Sequence, residues 1–83
     1  MGQFKIEFSK TAVKDYKKLP RDYKALIDLA LQKLSNGLPV DIKPITGERD
    51  SYRIRVGKYR ILFVVIENTL VVAKIGPRGD VYK

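Results

Sequence analysis

Between Ser51 and Ile66 two strand-like runs are separated only by Gly57-Lys58. In the first, Tyr52, Ile54 and Val56 alternate with Ser51, Arg53 and Arg55, while the second, Tyr59 to Ile66, is almost wholly apolar. Period-two alternation marks a half-buried strand, and a two-residue connection with glycine first suits a tight antiparallel hairpin. Such a loop predicts one register: Val56 opposite Tyr59, Arg55 opposite Arg60 and Ile54 opposite Ile61. A slip of one residue would send every apolar side chain to the wrong face. The rest of the chain therefore has to supply a cover for one side of this hairpin.

That cover is legible upstream. Gln3 to Phe8 alternates as a strand, with Phe4, Ile6 and Phe8 on one face. Ser9 is placed to cap a helix whose apolar positions are Ala12, Val13, Tyr16 and Leu19, and Pro20 forces a boundary. Pro20 suits the first turn of a second helix, in which Tyr23, Leu26, Ile27, Ala30, Leu31 and Leu34 keep helical spacing until Asn36-Gly37 stops it. Leu38 to Lys43 reads as irregular, Pro44 to Thr46 as a short edge strand, and Gly47 to Asp50 as a turn. Beyond the hairpin, Glu67-Asn68 turns the chain into a last strand, Thr69 to Ile75. The expected fold class is α+β: an N-terminal strand, a helix hairpin, then three or four mainly antiparallel strands with the helices on one face. Residues 1–83 form one domain.

Composition narrows the chemistry. The 83 residues carry a formal charge of +8, and 45% are hydrophobic, which argues for a folded chain despite the charge. With no cysteine and no histidine, thiolate nucleophiles, the Ser-His-Asp triad and imidazole metal sites are all excluded. The nine carboxylates are scattered and show no calcium-loop spacing, so neither metal nor cofactor is expected. The longest apolar run, Ile61 to Ile66, is far short of the roughly 20 residues of a membrane span, and the N-terminus lacks a signal-peptide core. The expectation is a soluble cytoplasmic protein with a polyanionic partner, nucleic acid before membrane.

The hairpin register sharpens this. Arg55 and Arg60 would stand on one face with Arg53 on the diagonal, a like-charge cluster that opposes sheet formation. A bound phosphate would offset the repulsion, because planar guanidinium groups donate bidentate hydrogen bonds to it. The alternative is a solvated face whose arginines pair with Glu48 or Asp50. The helix lysines read as solubilising charge, and Gly76-Pro77-Arg78-Gly79 lacks the helix–loop–helix setting of a nucleic-acid clamp.

The stretch Ser51 to Phe63, the ending Arg78-x-x-Val81-Tyr82, and the opening strand with its helix hairpin through Leu19-Pro20 resemble the RelE toxins of the RelE/ParE superfamily. The resemblance spans essentially the whole chain. It implies the toxin of a type II toxin–antitoxin pair, a ribosome-dependent endoribonuclease that cuts mRNA in the A site. The implied reaction is metal-free attack of a ribose 2′-OH on the adjacent phosphate. The implied partners are a RelB-like antitoxin, forming a toxin–antitoxin hetero-oligomer, together with the ribosome, its rRNA and mRNA. Carried over by position, Arg53 and Arg55 match two basic positions, Arg60 the arginine at the scissile phosphate, and Arg78 and Tyr82 the C-terminal motif; the expected catalytic residues are Arg55, Arg60, Arg78 and Tyr82, and the expected RNA contacts are Arg53 and Arg55 together with Lys58, Lys74 and Lys83. Pro77 stands where many relatives carry histidine. A ParE-like inhibitor of DNA gyrase, or an RNA-binding homologue without catalysis, remains open on the same fold.

Overall fold

The computed structural model describes residues 4–77. The elements are β1 (Lys5–Phe8), α1 (Lys10–Lys17), α2 (Arg21–Ser35), β2 (Ile42–Pro44), β3 (Ser51–Val56), β4 (Tyr59–Ile66) and β5 (Thr69–Pro77). They build the expected α+β fold, with a five-stranded sheet in the order β1-β5-β4-β3-β2. Every neighbouring pair is antiparallel except β1 and β5, which run parallel from Lys5↔Thr69 to Phe8↔Val72.

Local chemistry sets the helix ends. The Ser9 hydroxyl accepts from the Ala12 amide at 3.0 Å, as an N-cap should. Pro20 is the N-cap of α2 rather than a residue of its first turn, and its carbonyl accepts from the Lys24 amide at 3.0 Å. At the far end Gly37 adopts φ 75°. The Leu38 amide donates back to the Lys33 carbonyl at 2.8 Å and the Gly37 amide to Leu34 at 3.1 Å, a Schellman closure. The Asn36-Gly37 stop thus works by satisfying carbonyls that the helix leaves open.

The core lies between the helices and one face of the sheet. Ala12 of α1, Leu19 just after it, Ile27 and Leu31 of α2, and Ile54, Ile61, Phe63, Leu70, Val72 and Ile75 of the sheet are buried. Val13 and Leu26, expected on the buried stripes, are 40% and 46% exposed, because they sit at the margins of the face that reaches the sheet. The edge strand is displaced from its expected position: Ile42–Pro44 pairs with β3, so that Thr46 falls in a turn. Ile42 and Lys43 had given no strand alternation, and the pairing is imposed by the ladder with β3. The last strand also runs on to Pro77 instead of ending at Ile75.

Among the described residues, no helix is long and apolar enough to cross a membrane.

Candidate nucleic-acid interface

The hairpin forms in the expected register, with Val56↔Tyr59, Arg55↔Arg60 and Ile54↔Ile61. Gly57 takes φ 57° while Lys58 does not adopt a positive φ, the pattern of a type II′ turn. Ile54 and Ile61 face the helices, so Arg53, Arg55 and Arg60 project from the opposite side of the sheet.

Cross-strand pairing extends these arginines into two rows. One runs Lys43, Arg53, Leu62, Lys74 across β2, β3, β4 and β5; the next runs Arg55, Arg60, Gly76. Lys43 is a contributor that alternation did not reveal. Its signal was its place two residues after Asp41 on a segment able to lie beside β3. Lys43 and Arg53 line an open cleft of about 320 Å³ together with Pro44, Ile45 and Thr46.

The arginines are not equivalent. Arg53 and Arg60 are buried, at 7% and 8% exposure, whereas the Arg55 side chain is 46% exposed. Burial of a guanidinium is costly, and it also strengthens the attraction for any anion that reaches it, since the local dielectric is lower than in water.

Among the described residues the carboxylate beside Arg53 and Arg55 is Asp41 rather than Glu48 or Asp50. One of its oxygens lies 3.7 Å from Arg53 Nη1 and the other 3.8 Å from Arg55 Nε. Its backbone carbonyl accepts from the Arg55 amide at 3.0 Å, which fixes the carboxylate between the two side chains. Asp41 was missed because it precedes β2 in a segment read as irregular. At these separations the contacts are ionic and longer than a direct hydrogen bond, so the carboxylate offsets charge without occupying the donors fully.

Lys58 lies in the exposed turn and Lys74 is half-buried on β5. Arg78, Tyr82 and Lys83 lie outside the described residues. Among the described residues no cluster of three or more Asp or Glu could hold a metal ion. What these side chains can do chemically is bind and neutralise phosphate at several neighbouring points.

Residues 6–82 match the family model described as the ParE toxin of the type II toxin–antitoxin system parDE. The chain belongs to the RelE/ParE superfamily of toxins. This superfamily toxin is 37% identical over 83 residues to Toxin RelE3 of Methanocaldococcus jannaschii, covering 94% of each chain. Its structure is similar to the RelB-RelE antitoxin–toxin complex from Methanococcus jannaschii, with a TM-score of 0.80 and 36% identity over 92% of this chain and 94% of that one. The toxin–antitoxin complex RelBE2 from Mycobacterium tuberculosis gives a TM-score of 0.77 and 28% identity, over 92% of the toxin described here and 99% of that chain.

Proposed function

We propose that this toxin is an endoribonuclease that cuts mRNA bound in the ribosomal A site, and that a RelB-like antitoxin neutralises it. The observation that carries the reading is the placement of Arg53, Arg55 and Arg60 on one sheet face, turned away from the helices, with two of them buried. Exposed lysines would suffice for loose adhesion to RNA; buried guanidinium groups fixed by strand pairing suit a phosphate held in one geometry.

In this reading the ribose 2′-OH attacks the adjacent phosphorus. The P–O5′ bond breaks, leaving a 2′,3′-cyclic phosphate on one fragment and a 5′-OH on the other. Arg60 and Arg78 stabilise the charge that develops on the phosphoryl oxygens, while Arg53 and Arg55 orient the strand. Tyr82 is assigned to base stacking or proton transfer. Arginine stays protonated and cannot take the 2′-OH proton, so the rate comes chiefly from in-line positioning and electrostatics. A ribosome that presents the mRNA in that geometry completes the positioning.

The test is primer extension on mRNA in translating extracts. Discrete cuts that vanish with Arg60→Gln, at unchanged thermal stability, support the reading; intact mRNA during translation arrest overturns it. The ParE description of the matching family model favours a second reading, inhibition of DNA gyrase. DNA damage without mRNA cleavage would select it.

A further inference from the structure

The alternation of β5 breaks once. Leu70, Val72 and Ile75 are buried, a spacing of two and then three. In the ladder Val72 stands opposite Phe63 and Lys74 opposite Leu62, so Ala73 has no partner on β4. An extra residue in one strand reverses inside and outside for everything that follows. Without this bulge Lys74 would point toward the helices and Ile75 toward the arginines. With it, Ile75 enters the core and Lys74 completes the row that contains Lys43 and Arg53.

On its other side β5 loses its strand neighbour here, because β1 ends at Phe8 opposite Val72, and backbone groups left unpaired are costly. Helix α1 and its cap supply the replacements. The Ser9 amide donates to the Val72 carbonyl at 2.9 Å, and the Ser9 hydroxyl donates to the Ala73 carbonyl at 2.9 Å. Asp15 Oδ2 accepts from the Ile75 amide at 3.0 Å. The strand is therefore held before, at and after the bulged residue. Helix energetics give no reason for Asp15 to be there: a carboxylate in the last turn of α1 (Lys10–Lys17) faces the negative end of the helix dipole. Its hydrogen bond to β5 does give one.

We infer that Asp15 is a positioning residue of the cationic face: by binding the Ile75 amide it fixes the Ala73 bulge and so turns Lys74 onto the side of the sheet that carries the arginines. Ser9 assists from the other flank. The inference rests on the RNA reading of that face. Asp15 touches no substrate; it acts through Lys74.

The test compares the intact chain with Asp15→Ala, Asp15→Asn, Lys74→Ala and the double variant Asp15→Ala/Lys74→Ala. The readouts are exchange of the Ile75 amide, affinity for a single-stranded RNA oligonucleotide across a salt series, and mRNA cleavage on ribosomes. Asp15→Ala should expose the Ile75 amide and lower the salt slope by about 0.7, the share of one phosphate contact on a single strand. Lys74→Ala should give the same slope, and the double variant should lose nothing further. Asp15→Asn, which keeps a carbonyl acceptor, should retain the wild-type slope. Cleavage should fall about tenfold in each variant that loses the contact, as one lost charge-assisted hydrogen bond implies.

An Asp15→Ala variant with an exposed Ile75 amide but unchanged slope and cleavage overturns the inference. So does an Asp15→Asn variant as impaired as Asp15→Ala, since charge rather than hydrogen bonding would then be at work. Should Asp15→Ala fail to fold, Asp15→Glu keeps the charge and displaces the acceptor, and the same loss of slope is expected. A wild-type chain that binds RNA without cutting it overturns the nuclease reading alone, and the slopes still decide the role of Asp15. A wild-type chain that neither binds nor cuts RNA overturns both.

Discussion

Tyr23 of α2 lies directly over Gly57 in the β3–β4 turn: a Cβ at position 57 would come within 3.0 Å of the Tyr23 hydroxyl and 3.1 Å of its ring. The same ring packs against Tyr59, 4.5 Å between centroids, so the helix and the hairpin are locked at the turn. Gly57 also needs its φ of 57°. Gly57→Ala should therefore destabilise the fold by about 1–2 kcal/mol, through the left-handed backbone and the lost contact distance together. Urea unfolding measures it, and a change within a few tenths of a kcal/mol would show that the turn relaxes freely.

Asp41 competes with any phosphate for Arg53 and Arg55. Asp41→Asn should raise affinity for single-stranded RNA by up to about fivefold, equivalent to ~1 kcal/mol for a half-exposed ion pair. It should also lower stability, because the buried Arg53 guanidinium loses its nearest compensating charge. Binding measured alongside thermal melts separates the two effects; weaker binding would mean that Asp41 orders the arginines more than it masks them.

The second hairpin carries a conformational cost at Glu67, which adopts φ 56° without being glycine. Glu67→Gly should stabilise the chain by about 0.5–1 kcal/mol, the relief being partly offset by the freer unfolded chain. A β-branched residue there should do the opposite. Midpoints of urea unfolding for Glu67→Gly and Glu67→Val should move in opposite directions.

Tyr16 donates its hydroxyl to both oxygens of Asp28, at 2.8 Å and 3.0 Å. That hydrogen bond, with burial and the carboxylate charge adding to it, raises the phenol pKa above its ordinary 10.0. A raised value in the folded state means that the contribution is fully present below about pH 10 and is lost as pH rises through the folded pKa. Alkaline melts of Tyr16→Phe should lose less stability over that window than those of the wild type.

Much of this was readable in advance where short-range chemistry decides. Gly57-Lys58 set the hairpin register, Ser9 the start of α1, and Asn36-Gly37 the end of α2, since each acts on its own neighbours. What escaped depends on partners distant in sequence. Ile42–Pro44 becomes a strand only beside β3, and Asp41 becomes a counter-ion only once that strand is placed. The Ala73 bulge left a trace in the spacing of Leu70, Val72 and Ile75, yet its cause lies in Ser9 and Asp15, roughly sixty residues away. Burial of Arg53 and Arg60 likewise follows from the assembled face, because an arginine in an alternating strand reads as solvent-facing.

The parallel pairing of β1 with β5 has a consequence for synthesis. The Lys5 amide donates to the Asn68 carbonyl and Lys5 aligns with Thr69, so β1 waits for β5 before it has a strand neighbour. Contacts of such long sequence separation form late, after loop closure has been met. The row holding Arg53 is likewise incomplete until Lys74 has been added. A chain still growing on a ribosome therefore cannot present the finished cationic face until β5 has emerged and paired with β4.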